Sequence, residues 1–250
     1  TMPVDNTNNE YASLSPLWSK CRAAVEGEDA VHAEGPRYLP MLSGQNNEQY
    51  RSYLMRSSFL NATSRTIDGL VGLVFRKDQI VLGFPIDYKV NLAGVRPEQY
   101  MSTVLNEVLT VGRVGTLVDY PKVEEGTTVA RAESLGLTPT WTMYKAEQII
   151  NYRRDESDRL IMVVLVETYD EPIDEFEWDI NTQYRVLDID PETNRYRQRV
   201  YRDDEVVEEY YPMQNGAAMD SIPFIFHGET LSKPPLLDLV NLNFAHYRLS

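Results

Sequence analysis

The period of the apolar residues changes midway along the chain, and this change constrains the fold most. Before Tyr120, apolar residues recur at mixed three- and four-residue steps, as on the buried face of a helix. Between about Thr138 and Phe226 they alternate or form short runs bounded by turn residues, which is typical of strands. We therefore predict an α+β fold: a helical N-terminal half, then an antiparallel-rich β region, ending in the start of a long helix.

Helix-start and helix-stop residues place the helical segments. One helix is predicted to start at residues 15–16, because proline suits the first turn. The longest is predicted over residues 48–75, and a third from Pro97, ended by Gly112 and Gly115. A last helix follows residues 234–235 and meets no stop signal before residue 250, so we expect a longer polypeptide.

The strand predictions depend on β-branched runs and turn residues. The apolar run 160–168 suits a strand buried on both faces. Turn formers at 190–194 separate two strand-like runs and predict a hairpin. The full set of predicted strands is 79–82, 116–120, 138–144, 148–153, 160–168, 184–189, 196–201, 206–211 and 222–226.

The charge argues against a chain that grips nucleic acid over most of its surface. There are 24 Lys and Arg against 38 Asp and Glu, a net charge of −14, and the acids concentrate in 155–209, above all in 170–179. Arg195, Arg197 and Arg199 would share one strand face. We expect acidic neighbours to neutralise them, namely Asp188, Asp190, Asp203 and Asp204.

No motif assembles a catalytic set or a cofactor site, so we predict no enzyme activity, no cofactor and no metal. The acidic spacing at 188–194 resembles the start of a calcium loop, but Thr193 and Arg199 stand where that loop needs Gly and Glu. The acidic run 170–179 is interpreted as a solvated loop. Cys21 is the single cysteine, so an intrachain disulfide is excluded, and we predict that its thiol is packed in the core. A carboxylate-dependent hydrolase stays open, because 38 acids always supply some pair.

Four arginines lie along the predicted helix 48–75 and just after it. They can pair with carboxylates of their own chain or across a subunit contact. We select Arg56, Arg65 and Arg76 as residues of a subunit interface. No stretch approaches the roughly 20 apolar residues of a membrane span.

An ordered series of segments carries a resemblance to a known family. The segments are Ser15-Pro16-Leu17-Trp18, Arg37-Tyr38-Leu39-Pro40, Tyr50 with Tyr53-Leu54, and residues 59–63, 65–72, 74–77, 111–121, 146–152, 222–224 and 236–243. In this order and spacing they resemble the portal proteins of tailed bacteriophages, over about residues 15–250.

The resemblance implies a ring, usually dodecameric, at one capsid vertex. Such a ring is the conduit for packaging and ejecting double-stranded DNA, without sequence-specific binding, and connects head to tail. Implied partners are further copies of the chain, the terminase large subunit, a head–tail adaptor and the major capsid or scaffolding protein. The implied location is the virion, with assembly in the host cytoplasm. Another structural adaptor or scaffold of a phage particle is the alternative.

The resemblance also implies a division of the chain. A flexible N-terminus occupies 1–14, the helical part of a wing domain 15–121 and its β-rich part 122–230. Residues 231–250 then begin a helix that leads to a stem and clip region beyond this sequence.

Overall fold

The predicted fold class is confirmed. A computed structural model describes residues 3–77, 89–91, 93–120, 122, 138–214, 216–228 and 232–249. Helices predominate in the N-terminal part, antiparallel sheets follow, and a helix comes last. The strand predicted at 79–82 lies outside the described residues.

The described residues form six α-helices and two short 3-10 helices. The α-helices are α1 (Asn9–Glu26), α2 (Glu28–Ala33), α3 (Asn47–Arg56), α4 (Ala62–Val74), α5 (Pro97–Val111) and α6 (Leu237–Tyr247). The 3-10 helices are Gly35–Arg37 and Ala146–Gln148.

The strands form three sheets in the described part of the chain. The strands are β1 (Val114–Asp119), β2 (Thr140–Lys145), β3 (Ile149–Arg154), β4 (Leu160–Pro172), β5 (Trp178–Ile189), β6 (Tyr196–Arg202), β7 (Glu205–Tyr210), β8 (Met213–Gln214), β9 (Ala217–Ala218) and β10 (Phe224–His227). Their orders are β10-β1-β2, β3-β4-β5-β6-β7 and β8-β9. The five-stranded sheet is antiparallel throughout, and β5 and β6 form the hairpin predicted at 190–194.

The chain divides into two compact units, each assembled from separated stretches. The sheet unit contains Thr1–Ala12, Asp87–Arg96 and Val114–Phe226, and the helical unit contains Ser13–Ile86, Pro97–Arg113 and His227–Ser250. This division differs from the continuous parts 15–121 and 122–230 expected from the sequence, because β1 belongs to the sheet unit and α6 to the helical unit.

Both ends of the helical prediction need correction. The segment 1–14 is not flexible throughout, because α1 begins at Asn9, where the Asn8 side chain accepts a hydrogen bond from the Tyr11 amide at 2.7 Å. Pro16 therefore lies inside α1 rather than at its first turn. At the other end α6 stops at Tyr247, whereas the sequence predicted a helix still running at 250.

The single helix predicted over 48–75 is wrong, because the chain leaves the helix between Arg56 and Ala62. Ser57 adopts an extended conformation and ends α3. Asn61 then caps α4 by accepting a hydrogen bond from the Ser64 amide at 2.9 Å. Residues of α3 and residues of α4 therefore do not share one continuous helix face.

Packing around Gly115 explains a second misplaced boundary. Gly112 ends α5 with a positive φ of 88°, as predicted, but Gly115 lies within β1. A Cβ on Gly115 would lie 2.2 Å from the Phe224 ring, which packs in the sheet unit's core. Glycine is needed here for a close approach rather than for a turn.

Candidate interaction surfaces

The arginines on β6 are neutralised by a neighbouring strand, as the sequence predicted for Asp188. Asp188 lies directly opposite Arg197 and receives its Nη2–H at 2.7 Å. Arg199 donates to the same carboxylate at 3.0 Å. Glu209 lies 3.8 Å from Arg197 and adds a second negative charge. Carboxylates therefore balance Arg197 and Arg199 on this face of β6. Arg195, just before β6, is exposed, and in the described part of the chain it forms no ion pair with Asp190, Asp203 or Asp204, so the sequence prediction is correct for Asp188 alone.

Asp190 has a different role, which the sequence did not predict. Its carboxylate accepts hydrogen bonds from the Thr193 hydroxyl at 2.7 Å and the Tyr211 hydroxyl at 2.9 Å. The hydrogen bond from Thr193, with one from the Glu192 amide, lowers the pKa of Asp190. The carboxylates of Asp188 and Asp190 thus bind different partners. The described residues contain no group of three or more His, Cys, Asp or Glu that could hold a metal ion.

A buried polar network surrounds Glu167 on the core-facing side of the sheet. Glu167 receives hydrogen bonds from Arg185 at 2.7 and 3.2 Å, from Tyr144 at 2.6 Å and from Gln183 at 2.9 Å. Burial raises the pKa of Glu167, whereas the hydrogen bonds from Arg185, Tyr144 and Gln183 and the charge of Arg185 lower it. The lowering effects are larger, so the pKa lies below its ordinary value.

The network continues through Gln198, which is fully buried. Its side-chain oxygen accepts from Arg185 at 2.9 Å and from Tyr210 at 2.7 Å, and its nitrogen donates to Asp119 at 3.0 Å. The Glu167 cluster therefore holds an ionised carboxylate whose oxygens are occupied. Through Glu167 on β4, Arg185 on β5 and Gln198 on β6, this network connects three neighbouring strands by side-chain hydrogen bonds.

The acidic run 170–179 is solvent-exposed, as predicted, but it is the end of a paired hairpin rather than a loop. β4 pairs with β3 only as far as Leu165, and β5 pairs with β6 only from Tyr184 onward. Beyond these points β4 and β5 pair only with each other, up to Pro172 opposite Trp178. We call residues 170–180 the arm.

The arm is ordered at its tip and exposed along its length. The Asp174 carboxylate accepts hydrogen bonds from the amides of Phe176 and Glu177 at 2.7 and 2.9 Å, which closes the turn. Every residue of the arm is exposed, and the Phe176 side chain is 86% accessible. The arm carries exposed large apolar side chains together with six acids: Ile173, Phe176, Trp178 and Ile180, with Asp170, Glu171, Asp174, Glu175, Glu177 and Asp179.

A second exposed apolar surface lies on α4. Thr63 and Ile67 are buried on one side of this helix. The opposite side carries Arg65, Gly69 and Gly72 at steps of four and three residues, and Arg76 follows two residues after the last helical residue, Val74. We call this exposed side, together with the adjoining Leu73 and with Arg76 just beyond the helix, the α4 face: Arg65, Gly69, Gly72, Leu73 and Arg76.

The α4 face is mildly basic, and its two glycines leave the helix backbone uncovered. A Cβ on Gly69 or Gly72 would meet nothing within 4 Å, and Leu73 is 64% exposed. Asp68 is the acid at its edge, against the two arginines. Exposed apolar groups beside unneutralised charge are typical of a protein contact surface.

The structure separates the three arginines selected from the sequence. All three are exposed, but Arg56 is the last residue of α3, and its Nε donates to the Ser52 carbonyl at 3.1 Å. Arg65 and Arg76 share the α4 face. Across the described ranges none of the three forms an ion pair with a carboxylate, so the intrachain pairing that the sequence left open is not observed there.

Comparison with known proteins identifies no relative of this chain, so a functional proposal has to rest on its own surfaces and sequence. The sequence matches no family model. A search of curated proteins returns no significant match. No helix in the described part of the chain is long and apolar enough to cross a membrane.

The arm was not predicted as a surface from the sequence, although its sequence carries a signal. Four large apolar residues interrupt the acidic run 170–179 and its continuation to Ile180, which a purely solvated loop does not need. Trp178 and Ile180 are two residues apart, the spacing of one strand face.

Proposed function

We propose that this chain is a structural component of a phage portal ring at the capsid vertex, which forms the conduit for packaging and ejecting double-stranded DNA and connects head to tail. The observation that carries the proposal is the α4 face, where Arg65, Arg76 and Leu73 are exposed without a partner in the described part of the chain. The ordered segments that resemble portal proteins support it.

The charge distribution fits a conduit that does not grip its cargo. The net charge is −14, and Asp188 pairs with Arg197 and Arg199 on β6. A negative wall repels phosphate at close range and leaves DNA free to slide. Within a Debye length of about 10 Å this repulsion acts in ordinary salt.

The proposed partners follow from the role. Further copies of the chain complete the ring, the terminase large subunit drives packaging, a head–tail adaptor joins the ring afterwards, and the major capsid or scaffolding protein surrounds it. The proposed location is the virion, with assembly in the host cytoplasm. Motor chemistry belongs to the terminase, so the proposed chain needs no catalytic residues.

The experiment is electron microscopy of the purified full-length protein beside a charge-reversed variant. We expect closed rings with a central channel, and loss of rings on changing Arg56, Arg65 and Arg76 to Glu with an unchanged unfolding midpoint. The control reverses three exposed arginines elsewhere, Arg51, Arg153 and Arg195, with the same change in net charge. Rings that survive the first triple reversal contradict the interface, and a full-length protein without rings contradicts the portal role.

A further inference from the structure

We propose that the arm of one copy docks on the α4 face of the next copy, in a head-to-tail contact that repeats around the ring. This inference rests on the proposed ring and names the two surfaces that join its subunits. It commits to a second copy of this chain as the occupant of the α4 face.

Charge complementarity selects the partner. The arm carries six acids and no base, whereas the α4 face carries Arg65 and Arg76 against Asp68 at its edge. Opposite charges around an apolar contact set its register and speed its formation, and like charges exclude wrong pairings. An arm–arm contact would bring twelve carboxylates together, so the arm cannot pair with its own copy on a second chain.

The two sides of the arm differ in character. Residues directly opposite in the hairpin share a face, so Pro172, Trp178 and Ile180 lie on one side of the arm together with Asp170, and Glu171 and Asp179 lie on the other. The first side of this two-stranded ribbon is mainly apolar and suits burial, and the carboxylates around it suit contact with arginines at the edge of the interface.

The α4 face leaves room for such a ribbon to approach the helix closely. Gly69 and Gly72 have no side chains, so a neighbouring backbone can approach the helix closely between Arg65 and Arg76. Leu73 lies beside this strip, and its 64% exposure leaves apolar area to be covered. An aromatic residue such as Trp178 buries about 150–250 Å² and is the type of residue that dominates contact energies.

The two surfaces are different, and each occurs once per chain. A contact between unlike surfaces generates a ring when the rotation between copies closes, whereas a two-fold dimer would have to make the same contact twice, once in each direction. The arm and the α4 face therefore supply the heterologous contact that a ring requires.

The test uses two full-length variants, each lacking one surface. The arm variant carries Phe176→Ser and Trp178→Ser, and the face variant carries Arg65→Glu and Leu73→Ser. All four side chains are exposed, so both variants should fold, which circular dichroism and the unfolding midpoint verify. The matched control changes two exposed apolar residues elsewhere, Val207→Ser and Leu242→Ser.

Native mass spectrometry and sedimentation then report the assemblies. We expect each variant alone to be monomeric. The protein concentration at which half of the chains are assembled should rise at least about thirtyfold, because losing one dominant contact residue weakens association by that much. The control variant should form rings as the wild type does.

The decisive sample is an equal mixture of the two variants. The arm variant keeps its α4 face and the face variant keeps its arm, so they should combine into dimers of one copy each and stop there. Assembly of either variant alone into rings would overturn the arm–face contact while leaving the portal role standing. A mixture that stays monomeric would overturn it too, and a monomeric wild-type protein would overturn both proposals.

Discussion

The two exposed glycines of α4 allow a test in which stability and assembly change in opposite directions. Glycine in a helix interior is less favourable than alanine by about 0.8–1.0 kcal/mol, because it loses more backbone entropy on folding. A Cβ on Gly69 or Gly72 meets nothing within 4 Å. Changing both to alanine should therefore stabilise the monomer by about 1–2 kcal/mol, or roughly 2–8 °C in Tm for a chain of this size.

Assembly should respond in the opposite sense. The two added methyl groups occupy the strip where the neighbouring arm approaches, so the backbone of the arm must move away or lose its contact. We expect ring formation to weaken at least about tenfold, which corresponds to about 1.4 kcal/mol. Monomer stability is measured by urea unfolding in the arm variant, which separates folding from assembly, and assembly is measured by sedimentation in the otherwise wild-type chain.

Gly115→Ala is the matched control. Its Cβ would lie 2.2 Å from the Phe224 ring and 2.9 Å from Ile149, so this substitution should destabilise the protein by about 1–3 kcal/mol or more. A destabilising effect of the Gly69 and Gly72 changes in the monomer would refute the open environment of α4. Higher stability with unchanged rings would refute the close approach of the arm.

Three further predictions concern DNA binding, the Asp188 ion pairs and the Cys21 thiol. Duplex DNA should bind the wild-type chain with a Kd above about 1 µM at physiological salt, and submicromolar binding with a steep salt dependence would show that the surface grips phosphates. Asp188→Asn should destabilise the fold by about 3 kcal/mol, because Arg197 and Arg199 lose their shared carboxylate, and a neutral effect in urea unfolding would contradict that role. Burial raises the pKa of Cys21 to about 11, so alkylation should follow unfolding of the helical unit, and rapid labelling of the folded protein would contradict its burial.

The ion pair of Glu167 gives a pH-dependent prediction. The folded-state pKa of Glu167 lies below its unfolded value, so the ionised carboxylate stabilises the fold at neutral pH, and this contribution disappears as the pH falls through the folded pKa. Glu167→Gln should be about 3 kcal/mol less stable than wild type at pH 7, with the gap narrowing below about pH 4. A gap that stays constant down to pH 3 in urea unfolding would contradict the assigned ion pair.

Local patterns in the sequence predicted the elements that local physics determines. The change of period separated helices from strands, the turn formers at 190–194 marked the β5–β6 hairpin, and Asp188 was expected to neutralise the arginines of β6. Each of these depends on residues close in sequence or directly opposite in one hairpin, so the pattern contains the relevant information.

Long-range packing determines the two element boundaries that the sequence did not predict, at Gly115 and between α3 and α4. The sequence predicts a helix end at Gly115. The structural reason for glycine there is contact with Phe224, more than one hundred residues later, which local periodicity does not contain. The break between α3 and α4 is stabilised by Glu28, whose carboxylate accepts a hydrogen bond from the Phe59 amide at 2.7 Å. Neither partner is visible from local periodicity.

The candidate surfaces show the same division. Arg65 and Arg76 are charged and lie on, or just after, the C-terminal part of the predicted helix 48–75, and the structure keeps them on or beside α4. Arg56 joins them in the prediction only because that helix runs through the break between α3 and α4. The arm was missed because its exposure depends on how far β4 and β5 extend beyond β3 and β6, which is a property of the whole sheet.

The portal role is tested most directly by an asymmetric electron cryomicroscopy reconstruction of DNA-filled particles that contain this chain. The account predicts a ring of this chain at one vertex, around a channel that holds DNA, with each arm against the α4 face of the adjacent copy. Density for the chain at many equivalent capsid positions, or at one vertex outside any closed ring, would contradict it.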